Sequence, residues 1–401
     1  MTATKERRRT KAGGISLSAP ALKEALAAVA SAVPGKSPRP ILQNVLLSGG
    51  VLSGSDLEIR IDVEVDADPS LAVLLPRDRL QAILTPPPGD EITITPDGNS
   101  CVISAGRGKW TLPTEDPLEY PTWQPVGLKS ITRMPADQFV RAVKGVVSAA
   151  DNESSRYALG AVLIEVKGDV VTFVATDGRR LSSVACERRQ VESTDDSQTL
   201  VPSEAIAKCL RLIPRKKGDK QRSSEDDDIQ AEYECGSLAV QIEASSKEVV
   251  FTIGPIVGDA VHSARVLTAL LVDGRFPRWR DVLPKREAKA TVVSRADLLA
   301  ATRAAAICTS DDSRGVEYGF ADGIWLHGKS SEKGESSVTC EVVEAGKKCS
   351  VKLDPAFVSE WLRGISGDAE PNVEIEAVDD QSAVVLRCGD NTGVIMPLAK
   401  D

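Results

Sequence analysis

One order of elements, helix, strands, helix, strands, runs three times along this chain of 401 residues, and that repetition limits the fold more than any other feature. Three amphipathic stretches, SAPALKEALAAVASAV (18–33), PADQFVRAVKGVVSAA (135–150) and SRADLLAATRAAAI (294–307), each open on a polar or proline-containing start. Apolar residues recur in them at helical spacing: Leu22, Leu26 and Val29; Phe139, Val143 and Val146; Leu298, Leu299 and Ala305. Ser18 with Pro20, Pro135 with Asp137, and Ser294 with Asp297 supply helix-start signals. Alternating strands follow, among them LEIRIDVEV (57–65), VVTFVA (170–175) and GIWLHG (323–328). A second helix then comes in each repeat: PRDRLQAIL (76–84), PSEAIAKCLRLI (202–213) and DPAFVSEWLRGI (354–365). Strand pairs close the units at 91–104, 229–244 and 373–388, with PDG, CGS and DDQS as the expected turns.

A third of the chain is roughly 134 residues, an ordinary domain size. Helices set apart from antiparallel strands predict α+β domains, with helices packed on one sheet face. The boundaries expected are an arm at 1–14, then domains at 15–132, 133–288 and 289–401. The arm has a basic start with no apolar core after it, unlike a secretory leader. The most polar stretch, RKKGDKQRSSEDDD (215–228), reads as a loop inserted in the second repeat.

Composition narrows the chemistry. The net charge of −9 opposes general phosphate binding, yet screening over about 8 Å leaves local clusters in charge of any bound strand. Eight cysteines form no CxxC pair and none stands near a histidine at zinc-ligand spacing. They read as free thiols of a reducing cytoplasm, and neither a metal nor a cofactor is expected. No apolar run is long enough to cross a bilayer, so no membrane association is expected. The chain has two histidines, His262 and His327, on separate segments, and no Walker loop, GxSxG, HExxH or dinucleotide fingerprint. Asp177 in TDGRRL reads as a turn-stabilising residue before it reads as a catalytic acid. An enzyme acting on an acidic or phosphorylated substrate is the rival class.

Five segments in order carry a family resemblance: PILQNVLL (40–47) with SGSDLEIRI (53–61), SRYALGAVLIE (155–165) with ATDGRRLS (175–182), VDGRFPRWRDVLP (272–284), SRGV (313–316) and VIMPL (394–398). Over nearly its whole length the chain resembles the bacterial sliding clamps, the β subunits of the replicative DNA polymerase III. The resemblance implies three clamp domains and a head-to-tail homodimer. Its six-domain ring would have helices lining the hole and sheets forming the outer wall. It also implies non-catalytic binding of duplex DNA without sequence preference, a nucleoid-associated cytoplasmic place of work, and several protein partners. These are the DNA polymerase III catalytic subunit, a clamp loader and other proteins bearing a short clamp-binding motif like Gln-x-x-Leu-Phe.

Three sets of residues follow from the resemblance. A partner-peptide cleft would be built by Leu159, Thr176, Gly178, Arg179, Arg180, Leu181, Pro277, Val282, Asp354, Phe357, Val394, Ile395, Met396, Pro397 and Leu398, with Arg180 orienting a peptide carbonyl or acidic group. Arg179 stands where many members have His, and Asp281 where Arg is frequent. Cations on the predicted helices and one basic loop would face DNA: Lys23, Lys36, Arg39, Arg77, Arg79, Arg141, Lys144, Lys208, Arg211, Arg303 and Arg363. Ring closure would pair the strand GKWTL (108–112) with a second copy, Trp110 and Leu112 meeting Ile307 and Cys308, and Arg107 and Lys109 facing Glu332 and Glu335.

Overall fold

The computed structural model describes residues 14–399 except 87–88, 152–156, 189–195, 217–232, 258–259, 262–263, 285–287, 310–314 and 366–370. The amino-terminal arm before Gly14, most of the 215–228 loop and His262 therefore lie outside the described residues.

Among the described residues six α-helices form where the apolar spacing predicts them: α1 (Ala19–Val29), α2 (Arg77–Ile83), α3 (Ala136–Val146), α4 (Ser203–Cys209), α5 (Arg295–Ala305) and α6 (Pro355–Gly364). Oxygen side chains cap three of them. Ser18 accepts from the Ala21 amide, Ser294 from Asp297 and Asp354 from Ala356, satisfying amides with no partner inside the helix. α1, α3, α4 and α5 each tighten into a short 3-10 turn at the carboxyl end.

The chain divides into two compact units. One comprises residues up to Ser130 with Arg211–Ile213 and Ser237–Leu270; the other comprises Ile131–Leu210, Pro214–Gly236 and the chain from Leu271 onward. These units cut through the second repeat because sheets run on from one repeat into the next. In the first unit the order is Ala72–Pro76, Asn44–Ser48, Val51–Ser55, Ile59–Glu64, then Arg265–Leu270, Glu248–Val257 and Leu238–Ala244. The seam between repeats is the antiparallel pair Ile59–Glu64 with Arg265–Leu270, with Val63 opposite Arg265. In the second unit an eight-stranded sheet joins the second repeat to the third. Its seam pairs Arg180–Glu187 with Asn391–Ile395, with Arg180 opposite Ile395 and Leu181 opposite Val394.

Each unit also holds a four-stranded sheet that ends on an edge strand, Gly108–Pro113 in one and Gly334–Cys340 in the other, each paired on one side among the described residues. Leu238–Ala244 pairs with Glu248–Val257 through the turn at Ser245; of the run expected before the CGS turn, residues 229–232 lie outside the described residues, and Tyr233 bridges to Arg215.

The core of the third repeat shows how the pattern becomes packing. Along Ile324–Ser330 the residues Ile324 and Leu326 turn inward and Trp325 and Lys329 outward, the period of two that a half-buried strand requires. The inward set meets Leu298 of α5 and Trp361 and Leu362 of α6 in one apolar cluster.

Candidate functional site: an apolar cleft and two charged grooves

The cleft is built around one tight turn. Thr176 ends a strand, and its hydroxyl donates to the Arg180 carbonyl at 2.6 Å. Asp177 accepts the amides of Arg179 and Arg180, both at 2.8 Å. Gly178 has φ +85°, a conformation that favours glycine. Asp177 is thus the turn residue expected of it. Beyond the turn Leu181 points inward, opposite Val394 on the seam. Leu163, Val174, Leu181, Trp279 and Val394 form one buried apolar cluster, with Leu200, Phe276, Leu283 and Ala383 packed against it.

The lip above this floor stays open. Met396 is 47% exposed and Val282 54%, Pro277 is exposed, and Leu159, Pro397 and Leu398 are half-buried. Met396 lies past the last strand, where its amide donates to the Arg179 carbonyl at 2.9 Å. Arg179 is exposed and has no carboxylate partner among the described residues; its guanidinium carbon stands 5.4 Å from the Phe357 ring.

Several expected cleft residues have other positions. Ile395 belongs to the core of the third repeat, because alternation along the strand turns it away from the side that Val394 faces. Asp354 caps α6. The Arg180 fork is committed inside the protein. Its Nε donates to Asp177 at 3.1 Å, one terminal nitrogen donates to Glu360 at 2.5 Å, and the other donates to the Ser148 carbonyl. Its guanidinium carbon also sits 4.2 Å from the Phe357 ring. The expectation that Arg180 is available to a peptide is therefore corrected.

Trp279 is the floor residue that sequence reasoning missed, although FPRWRDVLP was in view. Arg280 stacks on its ring at 4.1 Å and pairs with Glu165, which is 2% exposed. Burial pushes the Glu165 carboxyl up, but hydrogen bonds from Gln198 and Arg280 outweigh it and hold its pKa below the ordinary value.

The cations expected to face DNA separate into two kinds. Arg303 and Arg363, with Lys333, line a groove of about 530 Å³ beside α5 and α6 that Asp354 and Glu360 also line. Arg77 and Arg79 line another of about 300 Å³ beside α2, where Asp78 and Glu115 balance them and Arg77 pairs with Asp78 at 3.0 Å. Lys36, Arg39, Arg79, Arg303 and Arg363 are exposed, and Lys23, Arg77 and Arg211 half-buried. Lys144 and Lys208 are corrections: they are only 8% and 7% exposed. The Lys144 ammonium lies 5.2 Å from the Tyr233 ring centroid, and Lys208 pairs with Glu204 one helical turn away at 2.6 Å. Arg141 is half-buried and paired with Asp390 at 3.1 Å.

The residues expected at a contact between copies lie on or beside the two edge strands. Leu112 is buried, while Trp110 is half-buried, its indole lying over Gly108. Arg107 and Lys109 are exposed. In the other unit Ile307 is 73% exposed, Cys308 is half-buried, and Glu332 and Glu335 are exposed. His327 pairs with Glu335 at 2.7 Å. Among the described residues no cluster of three or more His, Cys, Asp or Glu could hold a metal, and no helix is long and apolar enough to cross a membrane.

Comparison with known proteins converges on one family. Residues 15–124 match the model of the DNA polymerase III beta subunit, N-terminal domain, and residues 133–234 that of its central domain. The beta sliding clamp of Pseudomonas aeruginosa is 30% identical over 388 residues, covering 91% of this chain and 96% of that protein. A crystal structure of the DNA polymerase sliding clamp from the same organism superposes with a TM-score of 0.80 at 24% identity, covering 96% of this chain and all of that one. The sliding clamp of Bacillus subtilis shares the fold at a TM-score of 0.81 with 17% identity, covering 97% of this chain and 99% of that one. From its repeated clamp domains to its full-length match, this chain belongs to the beta sliding clamp family, the beta subunits of DNA polymerase III.

Proposed function

We propose that this chain is a non-catalytic sliding clamp and processivity factor, its three domains being residues 15–132, 133–288 and 289–401. Two copies join head to tail into a ring around duplex DNA. The edge strands Gly108–Pro113 and Gly334–Cys340, each paired on one side among the described residues, support this reading, since an open edge is a template for another strand. The exposed cations Lys36, Arg39, Arg79, Arg303 and Arg363 meet phosphates, which carry no sequence information and so permit sliding.

The cleft tethers polymerase, clamp loader and other partners through a short peptide. One observation carries this: a buried apolar floor lies beneath a lip where Met396 and Val282 stay about half exposed. Methionine repacks around different partners. An affinity near the micromolar range, about −8 kcal/mol, exceeds the roughly 3–6 kcal/mol that two apolar anchors contribute before the cost of ordering a loose peptide, so the peptide's polar contacts supply the remainder. That strength suits partners that exchange.

A fluorescent Gln-Leu-Asp-Leu-Phe peptide titrated against the wild type should bind in that range. The double variant Met396→Ala with Pro397→Ala should weaken it about tenfold or more. Equal binding by both proteins would remove the cleft assignment.

A further inference from the structure

Arg180 stands at the mouth of the cleft, yet all of its described hydrogen bonds end inside the protein. A second arginine, in the other unit, is used in the same way. Arg180 is the first residue of the strand Arg180–Glu187, which forms the seam with Asn391–Ile395. Arg265 is the first residue of Arg265–Leu270, which forms the seam with Ile59–Glu64.

Each arginine belongs to the second repeat, and each donates to a carbonyl in the 3-10 turn that ends a helix of that repeat. Arg180 takes Ser148, after α3, and Arg265 takes Leu212, after α4, the latter at 2.7 Å. The other arm crosses the seam to a glutamate on a helix of the neighbouring repeat. Arg180 reaches Glu360 of α6 and Arg265 reaches Glu24 of α1, each at 2.5 Å. Both guanidinium groups are largely covered, with side chains 13% and 20% exposed. A planar fork can hold two acceptors in fixed directions at once, which an ammonium cannot.

We propose that Arg180 is a positioning residue: with Glu360 it fastens the seam on which the cleft is built, and it does not bind the peptide itself. Leu181 and Val394 face each other across that seam and both belong to the cleft floor. A seam that loosens therefore pulls the floor apart. The Arg265–Glu24 fastener holds a seam in the other unit that carries no part of this floor, so the same device there shows that its role is to join repeats. The inference rests on the cleft reading above and assigns a role within it.

Peptide affinity measured across a set of full-length variants tests the two roles. Glu360 lines the groove beside α5 and α6 and belongs neither to the floor nor to the open lip. Glu360→Gln and Glu360→Ala should each raise the Kd for Gln-Leu-Asp-Leu-Phe about tenfold, as Arg180→Ala does, and combining them should add little. Arg180→Lys should fall between wild type and Arg180→Ala. Glu24→Ala should leave the Kd unchanged while speeding amide exchange in Ile59–Glu64 and Arg265–Leu270.

A Kd raised by Arg180→Ala but untouched by both Glu360 variants would mean direct contact with the peptide and overturn the proposal. A Kd raised equally by Glu24→Ala would reduce the effect to general loosening and overturn it too, as would no change in any Arg180 or Glu360 variant. Loss of the cleft reading itself is seen separately, as equal binding by wild type and the Met396→Ala, Pro397→Ala protein.

Discussion

Glu165 is 2% exposed and nevertheless charged, because Gln198 and Arg280 donate to it. Its pKa is lowered in the folded protein, so the stability it contributes is present above the ordinary glutamate value of about 4.3 and is lost as pH falls through the lower folded value. Urea midpoints followed from neutral to acid pH should drop through that window in the wild type. Glu165→Gln should start about 2 kcal/mol lower at neutral pH and respond less to acid, since a charged hydrogen bond is replaced by a neutral one. A Gln variant as stable as wild type at neutral pH would show that the pair contributes nothing. At this scale the sequence was read unevenly. Asp177 was legible because its partners lie two and three residues away. The burial of Lys144 under Tyr233 was not, because the covering residue lies far along the chain.

Helices and turns repeat on short periods, which explains why the six helices among the described residues are visible in the apolar spacing. Seams were not visible, since pairing Ile59–Glu64 with Arg265–Leu270 spans some two hundred residues and no local pattern encodes it. Neither was the crossing of α3 and α6. A Cβ on Gly364 would lie 2.5 Å from the Lys144 carbonyl, and one on Gly145 would lie 2.5 Å from the Val184 side chain. The two helix backbones therefore meet without side chains between them. Gly364→Ala should destabilise the protein by about 1–3 kcal/mol through overpacking, and here the obstacle is backbone, which cannot rotate away. A melting temperature within a degree of wild type would show that the helices slide apart at little cost. Trp279 was missed for a related reason: its neighbours in the floor, Leu163, Val174 and Val394, come from three separate strands.

For the molecule as a whole, the threefold order and the five ordered motifs carry the resemblance that the relatives bear out, while the net charge of −9 points away from DNA. Charge distribution resolves little of that tension: Arg303, Arg363 and Lys333 outnumber Asp354 and Glu360 at one groove, Asp78 and Glu115 balance Arg77 and Arg79 at the other, and Lys144 and Lys208 are buried. Light scattering at micromolar concentration should give a mass near twice 42.7 kDa, and binding to short linear duplex should be weak and fall steeply with salt. A monomer at that concentration would contradict the ring.

The seams have one more consequence. In the proposed ring every joint is a continued sheet, but the joint between copies begins on Gly108 and Gly334, residues without side chains, where the joints inside a chain begin on Arg265 and Arg180. Compliance is thereby unequal around the circumference. The ion pairs expected there, Arg107 and Lys109 with Glu332 and Glu335, are exposed and screened by salt, so in the proposed ring this joint is the one expected to yield when a partner parts the circle to admit DNA.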